Sequence, residues 1–585
     1  MTAQEPADFS PVDVELGRFL TRRFGASPVL ALAAQLVNSR YRQGDTGVAL
    51  EELQAELASL EVREELLPLL NSSAAVGRPN QRRPLTWDGE NLALTRVWAQ
   101  EARVAEQILR RSRLLTPDPR VAEIAREILG NGTVTQGTAL QTAGVLLPFF
   151  FRLTVISGGP GTGKTTILAK LLALQIVYAQ QENKPLPRIA LAAPTGKAAQ
   201  RMGDALKKAC ENLPEALRSP LQELSPKTLH RLLGLKGPLS PPRWNAERGL
   251  EADFVVIDEA SMLDLTLMDH LLSALNPETH LVLLGDRDQL PSVDPGRLLA
   301  DLGDYFLANQ FSPDFCRLVA QACPPGAVPL PQGGELSPLL SLSHSYRFDA
   351  GQPLGRFARA VQRGNAQECR EILGDPDGDT GKSRVELRAY SSDQHLLKSL
   401  AKGWEKFAQT QTPEEALAAL SSFMILCPSN EGPRGQASLN QALIKASRRG
   451  GFWPVLITEN SPEKNLFNGD LGVIQETQNG ERAYFLQAGG PPRVLLRHQL
   501  PGHVPAFAMT VHKSQGSEFD RIALLLPEGE SAYSETLGRE LLYTAVTRAR
   551  FQVEIWGPFQ ALENAVGRHT PRRSGLVKLL QKSSG

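Results

Sequence analysis

The segment Gly158-Gly-Pro-Gly-Thr-Gly-Lys164-Thr165-Thr166 constrains this chain more than any other feature. It follows an apolar run, Leu153–Ile156, that reads as a strand, and it opens a second run, Ile167–Tyr178, that reads as a helix. A strand, a glycine-rich turn and a helix in that order form the setting in which backbone N–H groups cradle a polyphosphate. Glycine lets the backbone turn inward without steric conflict, and the helix N-terminus adds a favourable dipole. On this reading Gly158, Gly159, Pro160, Gly161, Thr162, Gly163, Lys164, Thr165 and Thr166 enclose a nucleoside triphosphate. Lys164 reaches its β- and γ-phosphates, and the Thr165 hydroxyl completes a Mg²⁺ shell. The chain is thereby confined to α/β architectures that bind a nucleotide.

The surrounding pattern fits. Short β-rich runs, Leu153–Ile156, Ile189–Ala193, Phe254–Ile257 and His280–Leu284, alternate with helical segments, which predicts a parallel sheet covered on both faces. Ligands bind such sheets at the strands' carboxyl ends. Val255-Val-Ile-Asp258-Glu259 places two acids at one such end. Asp258 is assigned to the metal and Glu259 to polarising the attacking water, with a simple helix-capping pair as the alternative. Gln289, after the strand at His280–Leu284, reads either as a sensor of the γ-phosphate or as part of a polar turn.

Periodicity divides the 585 residues into a helical region at 1–130, a first α/β block at 131–330, and a second at 341–430 and 503–585. A Pro/Gly-rich segment from Cys323 reads as the linker between the blocks. Turn signals at Asn468-Gly469, Asn479-Gly480 and Gly489-Gly490 predict a small β-barrel inserted at 450–502. The proline-rich stretch Lys236–Trp244 predicts a protruding loop or hairpin near 235–250. Lys+Arg and Asp+Glu number 63 each, so bulk charge neither favours nor excludes nucleic acid, and any DNA groove must be locally basic. Five scattered cysteines without a C-x-x-C pair argue against a disulfide or zinc framework. The N-terminus lacks a signal-peptide pattern and no apolar run approaches the roughly 20 residues of a membrane span. A cytoplasmic chain without a membrane partner is expected.

Motifs in one order carry a family likeness. After the phosphate loop come Ala193-Pro-Thr195-Gly-Lys197-Ala-Ala199, Thr228-Leu-His230, VVIDEAS from Val255 and GDRDQLPSV from Gly285. Ser345-Tyr-Arg347-Phe348, Phe467-Asn-Gly-Asp-Leu-Gly472, Thr510-Val-His512-Lys513-Ser514-Gln-Gly516-Ser-Glu518-Phe519 and Tyr543-Thr-Ala-Val-Thr-Arg548-Ala549 follow. Over about 140–555 the chain resembles superfamily 1 helicases, and the NGDLG and TVHKSQGSEFD wording is similar to the RecD branch. The resemblance implies two RecA-like P-loop domains that hydrolyse ATP with Mg²⁺ while moving 5′→3′ on single-stranded DNA. It implies that Gln141 reads the adenine edge, and that Gly516 and Glu518 lie near the γ-phosphate and ribose. Arg347 and Arg548 match the arginines that the second domain projects at the γ-phosphate; taken alone, either is a surface charge. Thr195, Lys197, Thr228, His230, Thr510, His512, Lys513 and Ser514 match positions facing the DNA backbone, with Tyr346, Phe348 and Trp244 as candidates for base stacking.

Within that branch, the region before Gln141 shows no helix-hairpin-helix repeat, and the tail Arg572-Arg-Ser-Gly-Leu576 resembles the end of the subunit form. Partnership with RecB and RecC in a helicase–nuclease heterotrimer acting in double-strand break repair is implied, the helical region being the docking part. Few residues follow Arg550, so any nuclease activity is expected in a partner. A protein-directed AAA-type ATPase and an inactive scaffold are the rival classes. Pro148 is expected to kink or shorten the helix after Gln141.

Overall fold

The computed structural model describes residues 9–582 except 63, 130–133, 136, 212, 238–239, 347–350, 375–382, 448–450, 478–479, 488–489, 528–536 and 570–571. Residues 446, 447 and 462 are described in their backbone alone.

The first sheet has six parallel strands in the order Leu339–Leu342, Leu153–Gly158, His280–Gly285, Phe254–Ile257, Ile189–Ala193 and Lys227–Thr228. Its central strands are largely apolar because both faces are covered. Val255 and Ile257 enter one core with Met268 and Val104, while Phe254 and Val256 enter the opposite core with Leu168 and Leu172. That alternation is the two-residue period of a strand. Leu339–Leu342 lies beyond the expected linker, so the crossing to the second block falls after Leu342, later than the Pro/Gly content implies.

The helical region at the N-terminus is not isolated from this sheet. Its helix Thr95–Arg111 packs on Leu265–Ala274, and Val104 and Ile108 share one core with the sheet residues Val255 and Leu281. It also holds a four-stranded sheet of very short strands (Val48–Ala49, Asn91–Leu94, Leu85–Trp87 and Val76–Gly77) that helical periodicity does not reveal.

The second sheet is parallel, in the order Arg384–Arg388, Ala549–Trp556, Phe519–Leu525, Phe423–Cys427 and Ala508–Thr510. The inserted piece is an antiparallel sheet, ordered Arg493–Leu496, Gly480–Phe485, Leu471–Thr477, Phe452–Ile457 and His503–Pro505. Among the described residues its two edge strands are not paired with each other, so the pairings are those of an open sheet and do not by themselves close the expected barrel. Described residues of the stretch near 235–250 form bends and irregular chain, with Asn245 and Arg248 exchanging backbone bonds of 2.9 and 3.1 Å.

Residues after 571 depart from the second block. Helix Leu576–Lys582 returns to pack on Thr95–Arg111 and Leu298–Tyr305, burying Leu576 and Leu580 in the first sheet's core. All five cysteines are buried and free. No described helix is long and apolar enough to cross a membrane.

Candidate functional site

The phosphate loop leaves the strand Leu153–Gly158 and ends at the helix Lys164–Gln181. Gly161 and Gly163 have φ of 76° and 89°, conformations that a side chain would strain. A Cβ on Gly163 would also lie 2.4 Å from Gln141 Nε2, which would have to swing aside. Lys164 Nζ donates to the carbonyls of Gly158 and, at 3.1 Å, Gly159, so it lies folded over the loop. Thr162 Oγ1 donates to Gly159 O at 2.9 Å and fixes the turn. Thr165 is half-buried and Thr166 exposed at the helix start.

Pro148 does end a helix, but harmlessly. Thr138–Leu146 stops before it and passes into one turn of 3-10 helix, leaving Gln141 above the loop with Nε2 3.5 Å from Thr162 O. Tyr346 belongs to the same corner. Its N–H donates to Gly161 O at 2.8 Å and its hydroxyl lies 2.7 Å from Thr135 Oγ1. The structure therefore places Tyr346 beside the nucleotide loop, away from the expected stacking role on DNA.

Asp258 and Glu259 follow the strand Phe254–Ile257 at the carboxyl end of the sheet. Burial, and then the neighbouring charge of Glu259, raise the Asp258 carboxyl above the usual range, with Lys164 opposing. Two acids crowded this way favour a divalent cation. One carboxylate and one hydroxyl, from Asp258 and Thr165, suit Mg²⁺, which keeps several waters and takes further oxygens from phosphates. Glu259 sits at φ 53°, a costly conformation for a residue with a side chain. Nothing in the local sequence signals it.

The second block supplies the opposite wall. Arg548 is buried, donating from Nε to Thr544 O at 3.0 Å, and its pKa is lowered by burial against the pull of Glu259 and Glu518. Arg347 and Phe348 lie outside the described residues. Gln289 is buried and turned toward Asp286, its Nε2 3.1 Å from Oδ2. The same oxygen accepts from Tyr543 of the second block at 3.1 Å. Tyr543 was not singled out from sequence, although it stands in the motif that carries Arg548. Its partner is far away along the chain. Two more bonds cross here: Leu290 N–H donates to Thr544 Oγ1 at 2.9 Å, and Gln515 Nε2 to Leu290 O at 3.1 Å. A cleft of about 680 Å³ lies between Gly158, Gly159 and Thr162 on one side and Ala358, Arg359 and Tyr543 on the other.

The expected DNA positions divide by burial. Thr195 and Thr228 cap the helices Gly196–Cys210 and Leu229–Leu233, accepting from Ala198 N at 3.2 Å and Arg231 N at 3.3 Å. They lie together because their strands pair at Ala193 and Thr228. His230 and Lys513 are exposed, while Lys197 and His512 are half-buried. Lys197 Nζ donates to Ser517 Oγ at 2.7 Å and Gly469 O at 3.4 Å, and burial lowers its pKa to about 8. Thr510 and Ser514 depart from the expectation. Ser514 is fully buried and donates to Val511 O at 2.7 Å, and buried Thr510 accepts from Lys513 N at 3.3 Å. Both hydroxyls shape the turn that carries His512 and Lys513 rather than facing a strand. Trp244 is a poor stacking surface, since Arg243 and Arg248 both place guanidiniums over its ring. A second cavity of about 780 Å³ is lined by Lys197, Arg201, Thr228, Arg231, Phe467 and Glu518.

Arg201 is a further residue the sequence did not flag. It donates to Gly516 O and pairs with Glu518 at 3.2 Å, bridging the blocks at two positions assigned to the nucleotide. Gly516 has φ 68°.

Two parallel sheets joined across a phosphate loop, an acid pair and a buried arginine define a nucleotide-hydrolysing motor of the helicase type. Three family profiles match in chain order: the RecBCD enzyme subunit RecD N-terminal domain over 7–92, an AAA domain over 145–295, and a UvrD-like helicase C-terminal domain over 505–555. The RecBCD enzyme subunit RecD of Mycolicibacterium smegmatis is 34% identical, covering 98% of this chain and 97% of that protein. That of Haemophilus influenzae is 30% identical over 95% and 94%. The ATP-dependent RecD2 DNA helicase of Deinococcus radiodurans is 28% identical over 72% of this chain but 49% of its own length. The chain belongs to the RecD family and is an ATP-dependent DNA helicase.

Proposed function

We propose that this chain is the motor subunit of a RecBCD-type helicase–nuclease, translocating 5′→3′ on the 5′-ended strand of a duplex end, in the cytoplasm, with RecB and RecC as partners. Coverage carries the reading: the subunit relatives align along nearly their whole length, whereas the RecD2 helicase aligns along only 49% of its own. The match to the subunit's N-terminal domain over 7–92 agrees with a docking role for the helical region. Polarity comes from the family branch alone.

The residues divide the work. Lys164 leaves the carbonyls of Gly158 and Gly159 to meet the β- and γ-phosphates, while Gln141 and Tyr346 hold the adenine side. Asp258 and Thr165 would hold Mg²⁺, which would supply charge neutralisation to the phosphates. Glu259 orients and deprotonates the attacking water. Gln289 reports the γ-phosphate, and Arg548 with Arg347 stabilises charge developing on it, an effect worth roughly 10³–10⁵ in rate. Because Lys164 and Arg548 stand on different blocks, triphosphate favours closure and hydrolysis favours opening. Thr195, Lys197, Thr228 and His230 on one block and His512 and Lys513 on the other grip the backbone alternately.

ATP hydrolysis measured with and without single-stranded DNA, beside Lys164→Gln, tests this reading. DNA-stimulated turnover that vanishes in the variant supports the motor; nucleotide binding without stimulation, even with RecB and RecC added, refutes it.

A further inference from the structure

The tail Arg572–Gly575 is left unexplained by the ATP and DNA sites, yet it runs between the helical region and the loop 292–296 of the first block. Arg572 NH1 donates to the carbonyls of Ser292, Asp294 (3.4 Å) and Gly296 (3.3 Å), and NH2 to that of Val293 (3.4 Å). One guanidinium thus gathers four carbonyls of the loop that begins three residues after Gln289. A planar fork of fixed donors can do this; an ammonium cannot match it.

The helical region closes the other side. Gly44 has φ 110°, and a Cβ there would lie 2.6 Å from Arg572 Nε. Its carbonyl accepts from Gly296 N–H at 3.0 Å, so the glycine serves both the guanidinium and the loop. The tail backbone is held as firmly. Arg573 N–H donates to Asp45 Oδ1 at 2.8 Å, Arg573 O accepts from Thr46 N–H at 3.0 Å, and Gly575 N–H donates to the buried Glu101 at 2.9 Å. On the second block's side, burial lowers the pKa of the His512 imidazole, and the nearby charge of Arg572 lowers it further.

We propose that Arg572 is a positioning residue for the ATPase reaction, fixing the 292–296 loop and through it Gln289, and that it ties the helical region to the γ-phosphate sensor. This deepens the motor reading and rests on Gln289 sensing the γ-phosphate. Contacts made in the helical region then bear on turnover without touching nucleotide. A loop that loses its clamp leaves Gln289 misplaced by a fraction of an ångström or more, and misplacement on the scale of 1 Å costs up to about 100-fold in rate.

The test uses the full-length chain assembled with its partners and compares Arg572→Ala, Arg572→Lys, Gly44→Ala, Gln289→Ala and the double variant Arg572→Ala/Gln289→Ala. The readouts are DNA-stimulated kcat, ADP affinity and thermal unfolding. Arg573→Ala is the control, because its side chain pairs with half-buried Glu52 and touches none of the loop carbonyls. Expected are kcat losses of roughly 10- to 100-fold in Arg572→Ala and Gly44→Ala, unchanged ADP affinity, a normal Arg573→Ala, and a double variant no slower than Gln289→Ala. Should Arg572→Ala fail to fold, Arg572→Lys and Gly44→Ala carry the same comparison. Full kcat in folded clamp variants, or losses that multiply with Gln289→Ala, overturns the proposal. If Gln289→Ala itself keeps full kcat while the wild type is DNA-stimulated, the sensor assignment beneath it fails instead.

Discussion

Removing one oxygen atom tests whether the two blocks are held together at the γ-phosphate end of the cleft. In Tyr543→Phe the ring stays in place and only the hydroxyl that donates to Asp286 at 3.1 Å is lost. A buried hydrogen bond to a charged acceptor contributes about 1.5–3 kcal/mol. Asp286 keeps two donors, Gln289 Nε2 at 3.1 Å and Asp288 N–H at 3.2 Å, so no acceptor is stranded and the lower end applies. About 1.4 kcal/mol corresponds to tenfold, so closure weakens by roughly tenfold. Hydrolysis requires the closed arrangement that brings Arg548 to the phosphates, so kcat with DNA and affinity for a non-hydrolysable triphosphate should both fall by up to that factor. Burial and the charges of Asp286 and Asp288 keep the phenol protonated well above its ordinary range. It therefore donates at every pH below about 10, and the ratio of wild type to variant should stay flat there. Tyr178→Phe, whose hydroxyl meets Asp118 at 3.4 Å far from the cleft, is the control. A Tyr543→Phe protein with unchanged triphosphate affinity and unchanged kcat would refute the reasoning.

Two further outcomes follow from the same geometry. Gly163→Ala must place a Cβ 2.4 Å from Gln141 Nε2 at φ 89°, so it should weaken ATP and ADP binding alike by about tenfold or more; equal affinities in a titration with labelled nucleotide would show that the corner yields freely. Lys197, with a folded pKa of about 8 against an ordinary value near 10.5, binds protons less readily folded than unfolded. Its charge therefore opposes folding below pH 8, and stability should rise relative to Lys197→Met as pH climbs from 8 to 10.5. A difference between the two proteins that is constant across denaturation midpoints from pH 7 to 10 would contradict this.

The parallel strands and their ligand-bearing ends were legible because burial on both faces makes the strands continuous apolar runs, after which polar residues stand out. What escaped was long-range. Leu339–Leu342 is four ordinary residues, and only its pairing with Leu153–Gly158 places it in the first sheet. The strands at Val48–Ala49 and Val76–Gly77 are too short to show any period. Ser514 reads as a ligand to phosphate until the fold buries it. Tyr543 lies in a family motif and Arg572 opens the tail, but what each touches has no local signal, since each acts on a loop more than 250 residues away.

Helix Gly196–Cys210 couples the groove proposed to hold DNA to the loop Gly516–Glu518. Lys197 and Arg201 are four residues apart, so they project from one face. Lys197 holds Ser517 and Arg201 holds Gly516 and Glu518, three successive residues of one loop on the second block. The helix begins at Thr195, on the side expected to grip DNA, and Gly196 packs so closely on Phe467 that a Cβ there would meet its ring at 2.8 Å. Any motion of the second block that shifts Glu518 must therefore slide this loop against Lys197 and Arg201, or drag the helix with it. Either way the groove beside Thr195 changes width. On the proposed assignments this one helix links the DNA-facing groove to the Gly516–Glu518 loop, so motion at either is felt at the other.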